Sequence, residues 1–401
     1  MIFLLMIPLY LILNIYILAR TIKWLHLFTH KRKLFTILYI VLYVFLSSSF
    51  FTAAFWPAGT IQRYLKLLNN YWYGTFIYIL LLIFTADLIK IIGRKFSLFQ
   101  KNSGNYALFF KATGILIALS VVAVSLYGIQ HAKKIQTTSY EVICHKDSGS
   151  LSELNVVLVA DFHLGYSVGI RQMTDMVEKI NAQNPDIICI AGDIFDNEYD
   201  ALDDPEGIIS VLSTLKSKYG VYACYGNHDI EERLLGGFTM NPHAPKLRND
   251  KMEDFLARAN ITTLCDETVL VDDSFYLIGR VDPKKPGAED VIPASISTLT
   301  ANLDQTKPIL LMEHEPEELQ EAADSGVDLE LGGHTHDGQM FPGNLTIKLL
   351  WQNAYGCLHL DKGDMYSIVT SGVGVYGPAM RIGTKSEIVK IHISFAAASQ
   401  S

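Results

Sequence analysis

Hydrophobic residues dominate the first third of the chain, where four long apolar stretches follow one another. Each is close to the ~20 residues that a helix needs to cross a bilayer. Tyrosine and tryptophan lie near several of their ends, as at membrane interfaces. A buried helical hairpin would explain one such stretch, but four in succession predict an all-α transmembrane region over residues 1–129. The stretches run approximately from Met1 to Ala19, Leu34 to Trp56, Trp72 to Ile92 and Ala107 to Ile129.

Two features of this apolar region carry separate interpretations. The first stretch lacks the basic n-region and the small-residue cleavage site of a signal peptide, so we expect it to be retained as a helix. The third stretch contains Asp87 and Lys90 at helical i, i+3 spacing. A carboxylate inside a membrane helix is a functional candidate, but its closeness to a lysine favours a local ion pair near the membrane surface.

Beyond residue 130 the pattern changes to short apolar runs that alternate with segments of helical period. Residues 130–150 are polar and predict a linker, and residues 395–401 predict a short tail. The alternation between them predicts an α/β domain with buried strands over residues 151–394. The apolar runs of strand length are Asn155 to Ala160, Ile187 to Ala191, Val221 to Tyr225, Ile309 to Met312 and Val327 to Leu331.

The composition agrees with this division and excludes some functions. Charged residues make up 18% of the chain and hydrophobic residues 50%, whereas an ordinary soluble domain has about 25% charged residues. The formal net charge of -8 argues against a nucleic-acid-binding protein, which needs a broad positive surface. The five cysteines form no CxxC pair, so no structural zinc site is indicated, and their odd number gives no disulfide framework.

The basic residues of the apolar region indicate its orientation in the membrane. They concentrate in the first and third loops, whereas the second loop has only Arg63 and Lys66. Cytoplasmic loops carry an excess of lysine and arginine. With four helices, we therefore expect a multi-pass membrane protein whose C-terminal domain is extracytoplasmic. Lys133 and Lys134, directly after the last stretch, count against this orientation.

Polar side chains capable of metal binding follow the five predicted strands. Ligands in open α/β sheets bind beyond the carboxyl ends of the strands, so these side chains should meet at one edge. Each short motif is weak when taken alone, but five in succession after apolar strands are hard to explain as structural residues. The motifs are Asp161-Phe162-His163, Gly192-Asp193-Ile194-Phe195-Asp196, Gly226-Asn227-His228-Asp229, His314 and Gly333-His334-Thr335-His336.

On these motifs, residues 155 to about 393 resemble the calcineurin-like metallophosphoesterases, in their branch of membrane-associated phosphodiesterases. The resemblance extends to Gly279–Asp282, Gly333–Gln339 and Ser371–Gly374, and to the pair Met380-Arg381. It implies a four-layer α/β/β/α sandwich for the C-terminal half and says nothing about the apolar half. Two positions depart from the family pattern, since Asp337 replaces a glycine and Ala160 replaces a common serine.

The resemblance also implies a role for each residue of the motifs. Two divalent metal ions, either manganese, iron or zinc, would be bound, with Asp193 bridging them. His228 would protonate the leaving oxygen, and Asp196 would orient His228. The ligands of one ion would be Asp161, His163 and His336, and those of the other Asn227, His314 and His334.

These roles imply metal-dependent hydrolysis of a phosphoester, by a hydroxide that two metal ions activate at a membrane surface. The substrate would be a phosphodiester or a phosphomonoester, with a lipid-linked ester as one candidate, and no nucleic acid partner is expected. Two alternatives stay open, an inactive membrane sensor or scaffold on the same fold and a cytoplasm-facing pyrophosphatase of lipid precursors. An inactive site should lack a ligand, whereas this chain has all seven. The oligomeric state is not indicated.

Overall fold

The structure, a computed structural model, describes residues 2–29, 32–57, 59–96, 104–232, 234–235, 238–239, 245–289 and 291–395. It divides into two compact units, one helical and one of mixed α/β structure. The helical unit comprises residues 1–130 together with the short segments 234–238 and 377–380, and the other residues form the α/β unit.

The first part of the chain forms long helices. Over the described residues, four helices are long and apolar enough to cross a membrane, which confirms the predicted all-α transmembrane region. The third helix starts well before Trp72, because polar residues such as Arg63 and Lys66 lower the hydropathy without breaking a helix. The helices are α1 (Ile2–Phe28), α2 (Arg32–Phe55), α3 (Thr60–Lys95) and α4 (Gly104–Ala132).

Polar side chains inside the helical unit contact one another across helices. Arg20 of α1 donates from Nη2 to Asp87 Oδ1 of α3 over 2.5 Å, and the Tyr16 hydroxyl donates to Asp87 Oδ2 over 2.6 Å. The spacing of Asp87 and Lys90 does not reveal these partners, because a helical period reports neighbours on one helix only. The paired carboxylate links α1 to α3, as polar groups commonly do between membrane helices.

The remaining elements follow the predicted alternation. The helices are α5 (Ile170–Asn181), α6 (Pro205–Leu212), α7 (Asp250–Arg258), α8 (Ile296–Thr300), α9 (Leu319–Asp324) and α10 (Gly343–Thr346). The strands are β1 (Ile135–Cys144), β2 (Glu153–Val159), β3 (Ile187–Ala191), β4 (Val221–Cys224), β5 (Leu234–Leu235), β6 (Phe238–Thr239), β7 (Thr262–Thr263), β8 (Glu267–Val271), β9 (Phe275–Gly279), β10 (Ile309–Met312), β11 (Leu329–Gly332), β12 (Gly356–Leu360), β13 (Met365–Val369) and β14 (Ser386–Phe395).

Two six-stranded sheets form the centre of the α/β unit. The first has the order β1-β14-β2-β3-β4-β7, with β2, β3, β4 and β7 parallel to one another. The second has the order β12-β13-β11-β10-β9-β8, with β9, β10, β11 and β13 parallel and the edge strands β8 and β12 antiparallel. Parallel strands that are buried on both faces read as continuous apolar runs, which is why the sequence reveals them.

The two sheets pack face to face and are covered by helices. Leu154 and Leu158 of β2 join one buried cluster with Leu310 of β10, so the sheets share a core. On the outer face of the second sheet, α8 and α9 bury apolar side chains in a further cluster with Ile309. Helix α5 contacts β1 and β14 of the first sheet and buries its apolar side. These four layers confirm the predicted α/β/β/α sandwich.

The polar segment that was expected to be a linker contains a strand. Residues 135–144 form β1, which pairs in parallel with β14 from Ile135 opposite Ser386 to Cys144 opposite Phe395. Strand β1 lies at the edge of its sheet and alternates buried with exposed residues, so it lacks the continuous apolar run of the central strands. Residues 396–401 of the predicted tail lie outside the described part of the chain.

Candidate metal centre

The carboxyl ends of five strands bring the predicted side chains together. Asp161 and His163 follow β2, Asp193 follows β3, and Asn227 and His228 follow β4 of the first sheet. In the second sheet His314 follows β10, and the histidines of the Gly-His-Thr-His motif follow β11. Since β2, β3 and β4 are parallel to one another and β10 is parallel to β11, the ends of these strands meet at one edge of each sheet, as the sequence pattern predicts.

The backbone at this edge is held in unusual conformations. Positive φ angles are rare for residues other than glycine and cost free energy, so they cluster at functional sites. Five of the seven predicted ligands nonetheless have positive φ angles. Sharp turns directly after β2, β3 and β11 thus direct these side chains toward one another. The residues and their φ angles are Asp161 (55°), His163 (47°), Asp193 (51°), His334 (71°) and His336 (51°).

Two glycines allow the loops to approach closely. Gly192 has φ 78°, and a Cβ placed there would lie 2.7 Å from the Gly226 nitrogen and 2.8 Å from His314 Nδ1. A Cβ on Gly226 would lie 2.3 Å from Asp193 Oδ1. Neither contact is sterically possible, so glycine is required at both positions for the ligand loops to pack side by side.

The first group of donor atoms consists of Asp161, His163 and His336. His163 Nε2 lies 3.0 Å from His336 Nε2, and His336 Nε2 lies 3.5 Å from Asp161 Oδ1. All three side chains are buried, and one donor atom from each falls within 4.8 Å of the others. The sequence-predicted ligands of the first ion are therefore close enough to share a cation.

The second group consists of Asp193, Asn227, His314 and His334. His334 Nδ1 lies 3.0 Å from Asn227 Oδ1 and 3.3 Å from His314 Nε2. Asp193 Oδ2 lies 3.0 Å from His314 Nε2 and 3.6 Å from His163 Nε2 of the first group. The Asp193 carboxylate is thus situated between the two groups, while its Oδ1 accepts a hydrogen bond of 2.8 Å from the His228 backbone nitrogen.

His228 lies beside both groups and is held by Asn197. Its Nδ1 donates to Asn197 Oδ1 in a short hydrogen bond, and the Asn197 backbone nitrogen donates to the His228 carbonyl over 3.1 Å. Asp196 Oδ1 is farther from the same ring nitrogen, at 3.8 Å, and lies 3.5 Å from His163 Nδ1. The side chain that contacts His228 Nδ1 directly is therefore that of Asn197. The family resemblance implies this role for the preceding residue, Asp196.

A fully buried arginine contacts the ring of His336. Arg381 donates from Nη2 to His336 Nδ1 over 3.2 Å and to the Gly374 carbonyl over 2.8 Å. The same nitrogen donates to the Ser371 carbonyl over 2.5 Å. Burial lowers the pKa of Arg381 to about 10, so the guanidinium remains charged at neutral pH. It fixes the ring with Nε2 directed at the donor atoms of His163 and Asp161.

The electrostatics of the site keep several imidazoles neutral. Burial lowers the pKa of His228 to about 4 and, together with the nearby His314, that of His334 to about 3. Burial also lowers the pKa of His336, with further contributions from His163 and Arg381. Metal ions bind the neutral ring with a free lone pair, so His334 and His336 are in the protonation state that ligation requires, whereas nearby carboxylates raise the pKa of His163 and His314.

Asp193 differs from Asp161, the other buried carboxylate of the two donor groups. Burial by itself raises its pKa, but the adjacent His314 imidazole lowers the pKa by more, through its charge and its hydrogen bond, well below the usual value. Burial raises the pKa of Asp161 to about 6, and its Oδ2 is buried without a hydrogen-bond partner. An orphaned carboxylate oxygen on a residue grouped with His163 and His336 fits a cation, which would satisfy these donor groups.

The chemistry of the donor atoms fits divalent metal ions. Carboxylate, imidazole and amide oxygens suit manganese, iron or zinc better than a metal that prefers thiolates. An α/β/β/α sandwich that gathers such donors at one sheet edge defines a metal-dependent hydrolase. Residues 154–338 match the family described as Calcineurin-like phosphoesterase. The chain belongs to this calcineurin-like metallophosphoesterase family and is a phosphoric ester hydrolase.

Proteins similar to this chain match it over different lengths. A zebrafish (Danio rerio) transmembrane protein with metallophosphoesterase domain is 28% identical over 88% of this chain and 79% of its own length. A metallophosphoesterase of Campylobacter jejuni is 26% identical over 95% of this chain and 94% of its own, and one of Aquifex aeolicus is 30% identical over 60% and 85%. With its four candidate spans, the chain is a membrane protein.

Several residues of the site were not indicated by the sequence. Asn197 directly follows the motif that carries Asp193, and only its side-chain contact reveals a role. The ring of Trp351 lies 5.1 Å from that of His334, and the ring of Tyr376 lies 4.7 Å from that of His228, measured between centroids. Both aromatic residues are remote from the histidines in sequence, so no spacing rule could have found them.

Proposed function

We propose that the chain hydrolyses a phosphoester with two divalent metal ions bound at this sheet edge. Asp161, His163 and His336 would hold one ion, Asn227, His314 and His334 the other, and Asp193 would bridge them. The observation that carries the proposal is the Asp193 carboxylate, whose Oδ2 lies within 3.6 Å of a donor nitrogen from each group. When bound, the ions would supply an activated water and positive charge against the phosphoryl oxygens.

We further propose that His228 protonates the leaving oxygen from its Nε2. The hydrogen bond from Nδ1 to Asn197 fixes the ring and leaves Nε2 for the substrate. Burial favours the neutral ring, whereas an anionic phosphoester beside it would favour the protonated form that a general acid needs. Asp196, 3.8 Å from Nδ1, would add negative charge in support of that form.

The membrane helices support a proposal about substrate and location. Residues 1–129 would anchor the chain, and the α/β domain would act on a lipid-linked phosphodiester or phosphomonoester at the membrane surface. The loop charges favour an extracytoplasmic catalytic domain. A cytoplasm-facing pyrophosphatase of lipid precursors is the second candidate, favoured by Lys133 and Lys134 directly after α4.

The experiment that tests the proposal is hydrolysis by the whole chain in detergent. Bis(p-nitrophenyl) phosphate and p-nitrophenyl phosphate would be compared with Mn²⁺, Zn²⁺ or EDTA present. We expect turnover that depends on the metal, that disappears in Asn227→Ala, and that falls by about 10²-fold in His228→Ala. The preferred ester distinguishes a diesterase from a monoesterase.

A matched control shows whether activity is lost when any histidine is replaced or only when His228 is replaced. His392 lies on β14 and contacts Asn155, so His392→Ala should hydrolyse both esters at the rate of the unmodified chain. Absence of turnover with either metal, in a folded chain shown to bind that metal, would contradict the proposed reaction on these esters.

A further inference from the structure

One short segment of the α/β unit exposes an unusual amount of apolar surface. In α10 and the helical turn after it, Leu345, Leu349 and Leu350 are 56%, 84% and 77% exposed. Single exposed leucines are common on soluble proteins, but three within six residues form a patch of the kind that marks an interaction surface. Residues 345–351 are called the leucine segment below.

The leucine segment leads directly to the metal centre. Its last residue, Trp351, is partly buried, and its ring lies 5.1 Å from that of the predicted ligand His334. The chain between the ligand His336 and the segment is short, and the Thr335 hydroxyl donates to the Ala354 carbonyl over 2.5 Å. Whatever binds the exposed leucines is therefore held beside the site of chemistry.

A candidate membrane span directly precedes the α/β domain in the chain. Helix α4, a candidate membrane span, ends at Ala132, and β1 begins at Ile135. Two intervening residues reach at most about 10 Å, so the first strand of the α/β domain begins within that distance of the end of a candidate span. Lys348 is exposed between the leucines, and a basic residue next to inserted leucines and a tryptophan suits the anionic headgroup layer.

We propose that the leucine segment is an interfacial anchor, which inserts Leu345, Leu349 and Leu350 into the bilayer and holds the metal centre at the headgroup layer. Trp351 would lie at the boundary between acyl chains and headgroups, where tryptophan is enriched. The proposal rests on the proposed function in one respect only, since an active site held in this way would take a phosphoester that resides in the bilayer.

The first test is a direct measurement of insertion that does not depend on activity. A polarity-sensitive NBD label would be attached at Leu349→Cys in a full chain carrying Cys357→Ser, because Cys357 is an exposed cysteine. The labelled protein would be placed in nanodiscs of phosphatidylcholine and phosphatidylglycerol, with or without doxyl-labelled lipid. The matched control carries the label at Leu270→Cys, on β8, where the native leucine is 44% exposed.

We expect blue-shifted emission from position 349 and quenching by doxyl lipid that clearly exceeds the quenching at position 270. Emission typical of water, or quenching no stronger than at position 270, would overturn the anchor. Blue-shifted emission without lipid quenching would also overturn it, because it would indicate a protein partner such as a second copy of the chain.

The second test asks whether the segment serves membrane-resident substrates. Methyl p-nitrophenyl phosphate and hexadecyl p-nitrophenyl phosphate have the same leaving group and differ only in the alkyl chain. In the nanodiscs, Leu349→Asp combined with Leu350→Asp should lower hydrolysis of the hexadecyl ester by about tenfold or more. Hydrolysis of the methyl ester should be unchanged, because neither leucine touches the donor groups.

The outcomes separate the anchor from the reaction. Equal losses on both esters, or no loss on either, would overturn a role of the segment in reaching bilayer substrates while the hydrolase remains established. If the unmodified chain hydrolyses neither ester, the proposed reaction fails on these substrates, and the fluorescence measurement still decides whether the segment inserts.

Discussion

Two imidazole rings of the metal centre are held by side chains that are not ligands. Asn197 Oδ1 accepts a hydrogen bond from His228 Nδ1. The backbone nitrogen and carbonyl of Asn197 also form hydrogen bonds with residues of the loop that carries His228. Arg381 donates to His336 Nδ1 from a position with no exposed surface. Both contacts fix a ring so that its Nε2 faces the site, which is the usual role of groups that support catalytic or ligating histidines.

Asn197 should matter most for esters with poor leaving groups. An alkoxide needs a proton from His228 as it departs, whereas p-nitrophenolate is stable without one. We expect Asn197→Ala to lower turnover of an alkyl phosphoester by about 10-fold or more and that of p-nitrophenyl esters by much less. The measurement is kcat/KM for both classes of ester.

Asp196→Asn serves as the comparison variant for this prediction. Its carboxylate is 3.8 Å from the His228 ring nitrogen, so we expect a smaller leaving-group effect than in Asn197→Ala. A larger effect in Asp196→Asn would contradict the role given to Asn197 and support the assignment that the family resemblance implies.

Arg381 should matter for metal affinity. Loss of a side chain that orients a ligand typically costs about 10–100-fold in metal affinity, and lysine lacks the planar fork that reaches several carbonyls at once. We therefore expect both Arg381→Lys and Arg381→Met to retain less Mn²⁺ after dialysis, measured by elemental analysis. Arg248→Met, which removes an arginine that stacks on Tyr225, should retain metal normally.

The stability of the metal-free protein distinguishes affinity from packing at Arg381. Variants with a lowered Tm in EDTA but unchanged metal retention would show that the arginine only fills the core. This residue illustrates the limit of the sequence at this scale. The motif letters indicate ligands, because metal chemistry restricts residue types, but a supporting contact between residues 45 positions apart leaves no local pattern.

Among the elements, strand β1 is the one that the local sequence pattern does not predict. It pairs with β14 along its whole length, yet it begins at the end of the last membrane helix and contains threonine, serine and glutamate. Val142 and Cys144 are buried in the core shared by the two sheets. The strand therefore belongs to the folding unit of the catalytic domain and also connects it to the membrane region.

Neighbouring residues on the two faces of β1 provide a matched stability test. Val142 is 3% exposed and Ile143 is 53% exposed. A charge introduced at position 142 would therefore be buried without a partner, whereas one introduced at position 143 would be solvated. We expect Val142→Asp to destabilise the domain by about 3 kcal/mol or more, lowering Tm by roughly 6 °C or more. Ile143→Asp should leave Tm nearly unchanged. Equal Tm shifts in the two variants would contradict the assignment of residues 135–144 to a strand with one buried face.

The central strands and the membrane helices could be predicted because each has a strong local pattern. Continuous apolar runs mark strands such as Ile187–Ala191, which is buried throughout, and long apolar stretches mark the helices. Edge strands and contacts between distant elements do not have such a pattern. The pairing of β1 with β14 joins residues about 250 positions apart, and the Arg20–Asp87 contact joins two helices.

At the scale of the whole molecule, the orientation in the membrane can be measured by labelling an exposed cysteine. Cys144 is unsuited because it is buried, and burial raises the pKa of its thiol to about 12. Cys357 is exposed. We expect a membrane-impermeant maleimide to label Cys357 on intact cells, with Cys357→Ser as the unlabelled control, because the loop charges favour an extracytoplasmic domain.

Labelling of Cys357 only after permeabilisation would contradict this orientation. It would favour the cytoplasm-facing pyrophosphatase, whose lipid precursors are presented from the other side of the membrane. The proposed chemistry of the seven donors is the same in either orientation, so this outcome would change which substrates reach the enzyme and would leave the proposed metal centre unaffected.

The binuclear centre is tested most directly by measuring bound metal and hydrolysis on the same samples of the full chain. Metal-free protein would be titrated with Mn²⁺, and elemental analysis would be compared with the rate on bis(p-nitrophenyl) phosphate. We predict that the rate rises until about two ions are bound per chain and that Asp193→Asn lowers both quantities. Full activity without bound metal, or with a single ion per chain, would contradict a site bridged by Asp193.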